Sequence, residues 1–322
     1  MIRRQSQRQT FALADIIYPM SLQNFAGFCE GGRPFYIKGR PSKYAGLFDL
    51  ASFKAAAKHA ASITVSYATA GRGSMTPSQP ISSSRIDKHY SKGATICVRG
   101  LEQTAPGFRA VVANCRSTLG FAGWIDCRAY LSADKAGYTP HFDDKTVLTL
   151  QIEGTKKWLV APHPAVQYPL DNAGRHPDGV YRYFRENPNV DLWERFDQPQ
   201  FEKTATAYTL RPGDLLLVPA GVWHAARADG HSLSIAVTFN HVGTGSAHEI
   251  ILSAIRNVLI ADSRWRRPPP MVPITSDDQN ASSLDNLDRF FAARLDDLQT
   301  EIGRMQRNRA EIVKIWSGRV SN

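Results

Sequence analysis

The stretch RPGDLLLVPAGVWHAA, residues 211–226, decides the fold class. Gly213-Asp214 is a turn signal, Leu215 to Val218 is an apolar run too short for a helix, and Pro219 and Gly221 stop it just before His224. That is a buried strand framed by breakers. Working outward, CRAYL (127–131), VLTLQI (147–152), WLVAP (158–162) and SLSIAVTF (232–239) are further short runs bounded by Gly, Pro, Asp or Asn. Many short strands without long helical segments between them predict antiparallel pairing in a sandwich or barrel. Parallel pairing is disfavoured, because it needs crossovers of a dozen or more residues.

The flanks read differently. Residues 1–122 mix helical and strand patterns around the barrel, with ASFKAAAKHAA (51–61) helix-prone by its alanine content and Ser74 to Arg85 a surface loop. The core spans 123–243 and carries an insertion, 163–207, rich in Tyr, Phe, Trp, Pro and Asn. An insertion of that length predicts a lid or binding segment, or a satellite packing element. From 244 to 322 the pattern is helical: Ala247 to Ala261 forms one helix, RWRRPPPMVP (264–273) interrupts, and a last helix is expected over 284–315. There Leu284, Leu287, Phe291, Leu295, Leu298, Ile302, Met305 and Ile312 make one apolar stripe. A repeat of about 3.5 residues suits pairing with a second helix, so this region is the expected dimerisation element, with packing back on the same barrel as the alternative.

Composition bounds the function. The 322 residues, 43% hydrophobic and 21% charged, belong to an ordinary globular chain. No window is apolar for the ~18 residues of a membrane span, and the N-terminal stretch lacks the apolar core of a signal peptide. A cytoplasmic protein without a membrane partner is the expectation. The four cysteines are scattered and form no C-x-x-C pair, so they are expected to be reduced. A net charge of +10 favours acidic peptides or ribosomal assemblies as partners and leaves direct nucleic-acid binding open.

The chemistry lies in GYTPHFDDKTVLTLQIEGTKKWLVAP (137–162). His141 and Asp143 are two apart and share one face of an extended strand. With His224 after the 211–221 strand, they make two imidazoles and a carboxylate, a donor set that suits Fe(II) and leaves coordination positions open. His224 as a buried core histidine is the alternative.

HFDD, LQIEGTKKW and GDLLLVPAGVWH, with YSKGATICVRGLEQ (90–103) and CRAYLSADKAGYTPH (127–141) upstream, resemble the bacterial cupin-type Jumonji C oxygenases, specifically the ribosomal oxygenases. The resemblance implies a mainly β protein with a double-stranded β-helix (cupin or jelly-roll) core, helical appendages and a C-terminal helical region. It implies Fe(II), with 2-oxoglutarate and O2 as cosubstrates, and His141, Asp143 and His224 as metal ligands. Lys156 matches the family residue that holds the distal carboxylate of 2-oxoglutarate; strand alternation puts its competitor Lys157 on the other face. Tyr130 matches a family position lining the cosubstrate pocket, and Thr139 lies two residues before the first ligand, within reach of a carboxylate; core-facing strand residues are the alternative for both. Arg128 stands where relatives tend to carry Asn, which adds a second cation and leaves that contact open. Trp158 and Trp223 read as barrel packing. The implied activity is hydroxylation of a side chain in a protein or peptide, possibly ribosomal. Hydroxylation of a free amino acid or natural product, demethylation, and a metal-binding cupin without turnover are the alternatives.

Overall fold

The computed structural model describes residues 11–67, 78–185, 196–243, 245–271 and 279–321. Two compact units divide the chain, Met1–Gly243 and Thr244–Asn322.

The first unit opens with α1 (Leu13–Ile17), α2 (Leu22–Glu30), β1 (Phe35–Ile37), α3 (Leu50–His59), β2 (Ser62–Tyr67) and β3 (Gln79–Pro80). Then come α4 (Ile86–Tyr90), β4 (Ala94–Arg99), α5 (Leu101–Thr104) and α6 (Pro106–Leu119). The alanine-rich helix stands as expected; Asp49 caps it, accepting from the Ser52 amide at 2.7 Å. The expected loop before Arg85 is more ordered than its composition suggests in its described part: Gln79–Pro80 adds a short strand to β2, and Ser83–Arg85 forms a 3-10 turn.

The barrel follows as β5 (Trp124–Ser132), β6 (Gly137–Phe142), β7 (Lys145–Pro164), β8 (Ala173–Arg175), β9 (Tyr181–Tyr183), α7 (Gln198–Thr204), β10 (Thr206–Leu210), β11 (Leu215–Val218) and β12 (Val222–Asn240). Hydrogen bonding joins β1-β11-β7-β12-β5-β4-β2-β3 in order, with β10 on β7, β6 on β12, β8 on β6 and β9 on β8. Every described pairing is antiparallel.

The runs VLTLQI and WLVAP are one strand, β7, bent at Gly154. Gly154 has φ +66°, and a Cβ there would lie 1.7 Å from the His231 carbonyl oxygen, so only glycine lets β7 turn this close to β12. Its partner β12 shifts register over Asp229/Ser232. Both long strands therefore pair along each half of the ladder, and this winding makes the double-stranded β-helix. Apolar side chains of β4, β5, β7, β11 and β12 pack with those of α1–α3 and α6 into the main core, which holds Ile96, Ile125, Leu148, Leu150 and Leu215.

Asp214 closes one end. Its carboxylate accepts from Tyr36 Oη (2.8 Å), the Gly39 amide (2.8 Å) and the Arg211 amide (2.9 Å), which ties β11 to the segment after β1. The 163–207 insertion divides into β8, β9 and α7. Tyr181 and Tyr183 pack with Phe142, Phe196, Phe201 and Trp223 in a second small core. Within the aromatic-rich insertion, Phe184 is half exposed and lines the cavity described below. Trp193 lies outside the described residues.

The second unit comprises α8 (Ala247–Ala261), α9 (Ser263–Arg266), α10 (Gln279–Arg307) and α11 (Ala310–Ser321). The single helix expected over 284–315 is two helices. Asn308 ends the first, and its side chain accepts from the Ala310 amide at 3.0 Å to start the second. The RWR of the expected interruption is itself helical, because Asp262 caps α9 through the Arg264 amide. The apolar stripe also splits. Leu287, Leu298 and Met305 are shielded, whereas Leu284, Phe291, Leu295 and Ile302 are exposed. No described helix is long and apolar enough to cross a membrane.

Candidate metal centre and cosubstrate pocket

His141 ends β6, Asp143 follows in the turn to β7, and His224 enters β12. Pairing of β6 with β12 sets His141 directly opposite His224. The ring centroids are 4.2 Å apart, and the Asp143 Oδ2–His224 Nε2 distance is 3.8 Å. One donor atom from each of the three residues falls within 4.8 Å of the others.

The backbone sets the tautomers. His141 Nδ1 lies 2.7 Å from the Thr139 carbonyl oxygen, and His224 Nδ1 lies 2.9 Å from that of Val222. A carbonyl only accepts, so each Nδ1 carries the proton and each Nε2 keeps its lone pair for a cation. Burial foremost, with His141 beside it, pushes His224 down to about 4, so the ring is neutral near pH 7. Burial works against the Asp143 carboxylate, but Lys145, the two imidazoles and Arg128 outweigh it and hold it down at about 2. A neutral imidazole at His224 and an ionised carboxylate at Asp143 are protonation states a divalent metal needs.

The triad opens into a cavity of about 480 Å³. Lys156, Tyr130, Thr139 and Arg128 line it. Lys156 is buried, donates to Ser132 Oγ at 3.3 Å and lies over the Tyr130 ring at 5.6 Å. Burial lowers it to about 8, and no carboxylate pairs with it among the described residues. Lys157 points the other way, exposed and paired with Asp229 at 2.8 Å. Arg128 is bound by its neighbour Asp126, with Nε–Oδ2 at 2.6 Å, and faces the same cavity. Thr139 lines the cavity too, and the polar contact it makes to the triad comes from its main-chain carbonyl.

Trp158, read from the sequence as packing, belongs to the pocket. It stacks on His224 (5.8 Å, 27°), and its buried indole Nε1 has no hydrogen-bond partner among the described residues. Trp223 is core, against Phe142 and Phe196. Ser234 lines the cavity, while His231 is engaged by Tyr90 Oη and Glu153. Lys145, Asn172, Arg175 and His176 also line it, and sequence reading passed over all four. Lys145 follows the ligands directly and could have been flagged. The other three reach the cavity only because β8 pairs with β6, Gly174 opposite His141.

A double-stranded β-helix with a His-x-Asp…His cluster at its mouth is the arrangement of the JmjC class, and residues 120–246 match the family model described as JmjC domain. Individual relatives add to that match. YxbC of Bacillus subtilis, an uncharacterized protein, is 29% identical over 184 residues, 55% of this chain and 52% of that one. The bifunctional lysine-specific demethylase and histidyl-hydroxylase NO66 of Dictyostelium discoideum is 32% identical over 48% of this chain and 27% of its own. The chain thus spans about half, or less, of the length of these curated relatives. The structure of the Escherichia coli ribosomal oxygenase YcfD with cobalt and 2-oxoglutarate superposes with a TM-score of 0.52 and 18% identity, covering 93% of this chain and 71% of that one. At that identity the likeness speaks for the fold.

Proposed function

We propose that the chain is an Fe(II)- and 2-oxoglutarate-dependent oxygenase that hydroxylates a side chain in a protein or peptide. The carrying observation is the convergence of two Nε2 lone pairs and an ionised carboxylate on one point, with a buried, carboxylate-free lysine in the same cavity. His141, Asp143 and His224 would hold the metal, and that donor set suits Fe(II). Lys156 would take the distal carboxylate of 2-oxoglutarate, with the Ser132 hydroxyl positioning its ammonium. Bound there, iron, 2-oxoglutarate and O2 would supply oxidation of an unactivated C–H bond, with succinate and CO2 as coproducts. The protein's share is to hold both imidazoles in one tautomer, keep Asp143 ionised and exclude bulk water around the reacting groups.

A polypeptide substrate is favoured by the name of NO66, a histidyl-hydroxylase, and by the basic charge of the chain. That YcfD is a ribosomal oxygenase supports a ribosomal protein as one such substrate. The four exposed apolar residues on α10 favour a homodimer, since a stripe of this kind is otherwise an aggregation liability. A cytoplasmic location accords with free cysteines, Cys29, Cys97, Cys115 and Cys127.

The test is anaerobic loading with Fe(II) followed by O2, with succinate and +16 products measured against peptides, extracted ribosomal protein and free amino acids. Succinate that requires both iron and 2-oxoglutarate, with a +16 polypeptide, is expected. Efficient oxidation of a free amino acid and of no polypeptide would replace the substrate assignment.

A further inference from the structure

The cavity has two cationic poles, and the oxygenase reading uses one of them. Alternate residues of β5 share a face, and Arg128 and Tyr130 line the cavity from that strand, with Cys97 and Arg99 from β4. Lys156 stands at the Ser132 end. Arg128 is four residues away along β5, about 14 Å at 3.4 Å per residue. One carboxylate does not serve both ends.

At the far end the β4–β5 register sets Arg99 directly opposite Arg128. Like charges facing each other across a strand pair are destabilising. Asp126 answers Arg128 alone, through Nε at 2.6 Å and Nη2 at 3.3 Å. Arg99 has no carboxylate partner among the described residues and is exposed toward the opening. The pair therefore carries one unanswered positive charge into the cavity. Both guanidiniums act on the same buried thiol: burial raises Cys97, and Arg128 and then Arg99 draw it back.

The rest of the wall has the same sign. Among the described residues lining the cavity, Asp143 is the single carboxylate, and it belongs to the triad. Arg99, Arg128, Lys145, Lys156 and Arg175 face it with positive charge, and Lys145 is answered from outside by Asp144. A lysyl or arginyl side chain entering here would meet like charge and no acceptor carboxylate.

We propose that Arg99 and Arg128 form a second anion subsite that holds a carboxylate of the substrate, so that the group presented to the metal centre is an acidic one. An aspartyl or glutamyl side chain of a polypeptide and a free dicarboxylic acid offer the same chemistry. The proposal rests on the oxygenase reading for its consequence, substrate selection, and its binding test is independent of turnover.

The full chain is loaded with Mn(II) and 2-oxoglutarate without oxygen and titrated calorimetrically with capped pentapeptides that differ only in a central Glu, Gln, Lys or phosphoserine, and with glutarate. The Glu peptide is expected to bind at least tenfold more tightly than the Gln peptide. Arg99→Gln should erase that difference and leave the 2-oxoglutarate affinity within threefold, and Arg99→Glu should favour the Lys peptide. Arg109→Gln, an equal charge loss on α6, should keep the preference for Glu. Tight binding of glutarate would support the subsite and assign it to small acids. Equal binding of the Gln or Lys peptide overturns the proposal, as does binding of the phosphoserine peptide alone, or loss of selectivity in Arg109→Gln as large as in Arg99→Gln. Succinate formation is measured in parallel. Charge-selective binding without succinate sinks the oxygenase reading and not the subsite, and succinate without charge selectivity does the reverse.

Discussion

Replacing Lys156 by Met keeps the length of the side chain and deletes its charge, which separates cosubstrate binding from stability. A charge-assisted hydrogen bond contributes about 1.5–3 kcal/mol, so the KM for 2-oxoglutarate should rise roughly 10- to 150-fold. Stability should move the other way. Burial lowers Lys156 from 10.5 to about 8, and at 1.36 kcal/mol per pKa unit the apo protein carries an order-of-magnitude cost of about 3 kcal/mol for holding that charge. The unfolded chain binds the proton more tightly, so the cost is full below pH 8 and fades as pH rises toward 10.5. The metal-free K156M protein should therefore melt no lower than wild type at pH 7, and the Ser132 hydroxyl keeps its bond from Thr95 Oγ1. In wild type the cosubstrate affinity should weaken above about pH 8 as the ammonium deprotonates; in K156M that pH dependence should vanish. Lys157→Met, which breaks an exposed pair to Asp229, should change KM by less than twofold. Steady-state succinate assays between pH 6.5 and 9 with thermal melts read all of this. A larger KM effect in the Lys157 variant, or a Lys156 variant within twofold of wild type, would refute the reasoning.

Alanine at His141, Asp143 or His224 should leave the melting profile of the apo protein nearly intact but lower Fe(II) content at least tenfold by metal analysis; stoichiometric iron in two of the three would remove the assignment. Asp214→Ala strips the acceptors of three hydrogen bonds and should cost at least about 3 kcal/mol in urea unfolding. Gly213→Ala places a Cβ 1.9 Å from the Arg40 carbonyl oxygen at φ +92° and should yield little soluble protein. Truncation before Ser282 should convert a dimer to a monomer in ultracentrifugation, and a monomeric full-length chain would dispose of the dimer.

What the sequence discloses and what it hides divides along one physical line. The turn and breaker residues around Leu215–Val218 and the His-x-Asp pair are local signals. A strand end is defined by its own Gly and Pro, and the spacing of His141 and Asp143 needs no partner to be read. The faces of Lys156 and Lys157 followed from alternation alone. By contrast, the break of the last helix at Asn308 depends on a side-chain cap that the apolar periodicity ran straight across. Trp158 was assigned to packing because a tryptophan on a strand carries no local mark of which side of the barrel it faces. Arg175 and His176 reach the cavity through a pairing of β8 with β6 that only the folded insertion provides.

The same distinction explains why the substrate is less legible than the cosubstrate. A cosubstrate shared by a class is met by residues fixed in one motif: two imidazoles, a carboxylate and a lysine on adjoining strands. The substrate is met by whatever the variable elements bring over that motif, here the ends of β4 and β5 and the β8 segment of the insertion. Those elements put Arg128 on the wall, set Arg99 across from it and leave no carboxylate among the described lining residues outside the triad. Two proteins can thus share the metal centre and the fold and still select side chains of opposite charge. Exchanging the charge at Arg99 while the triad and Lys156 stay in place is therefore the change that should redirect the enzyme without disabling it.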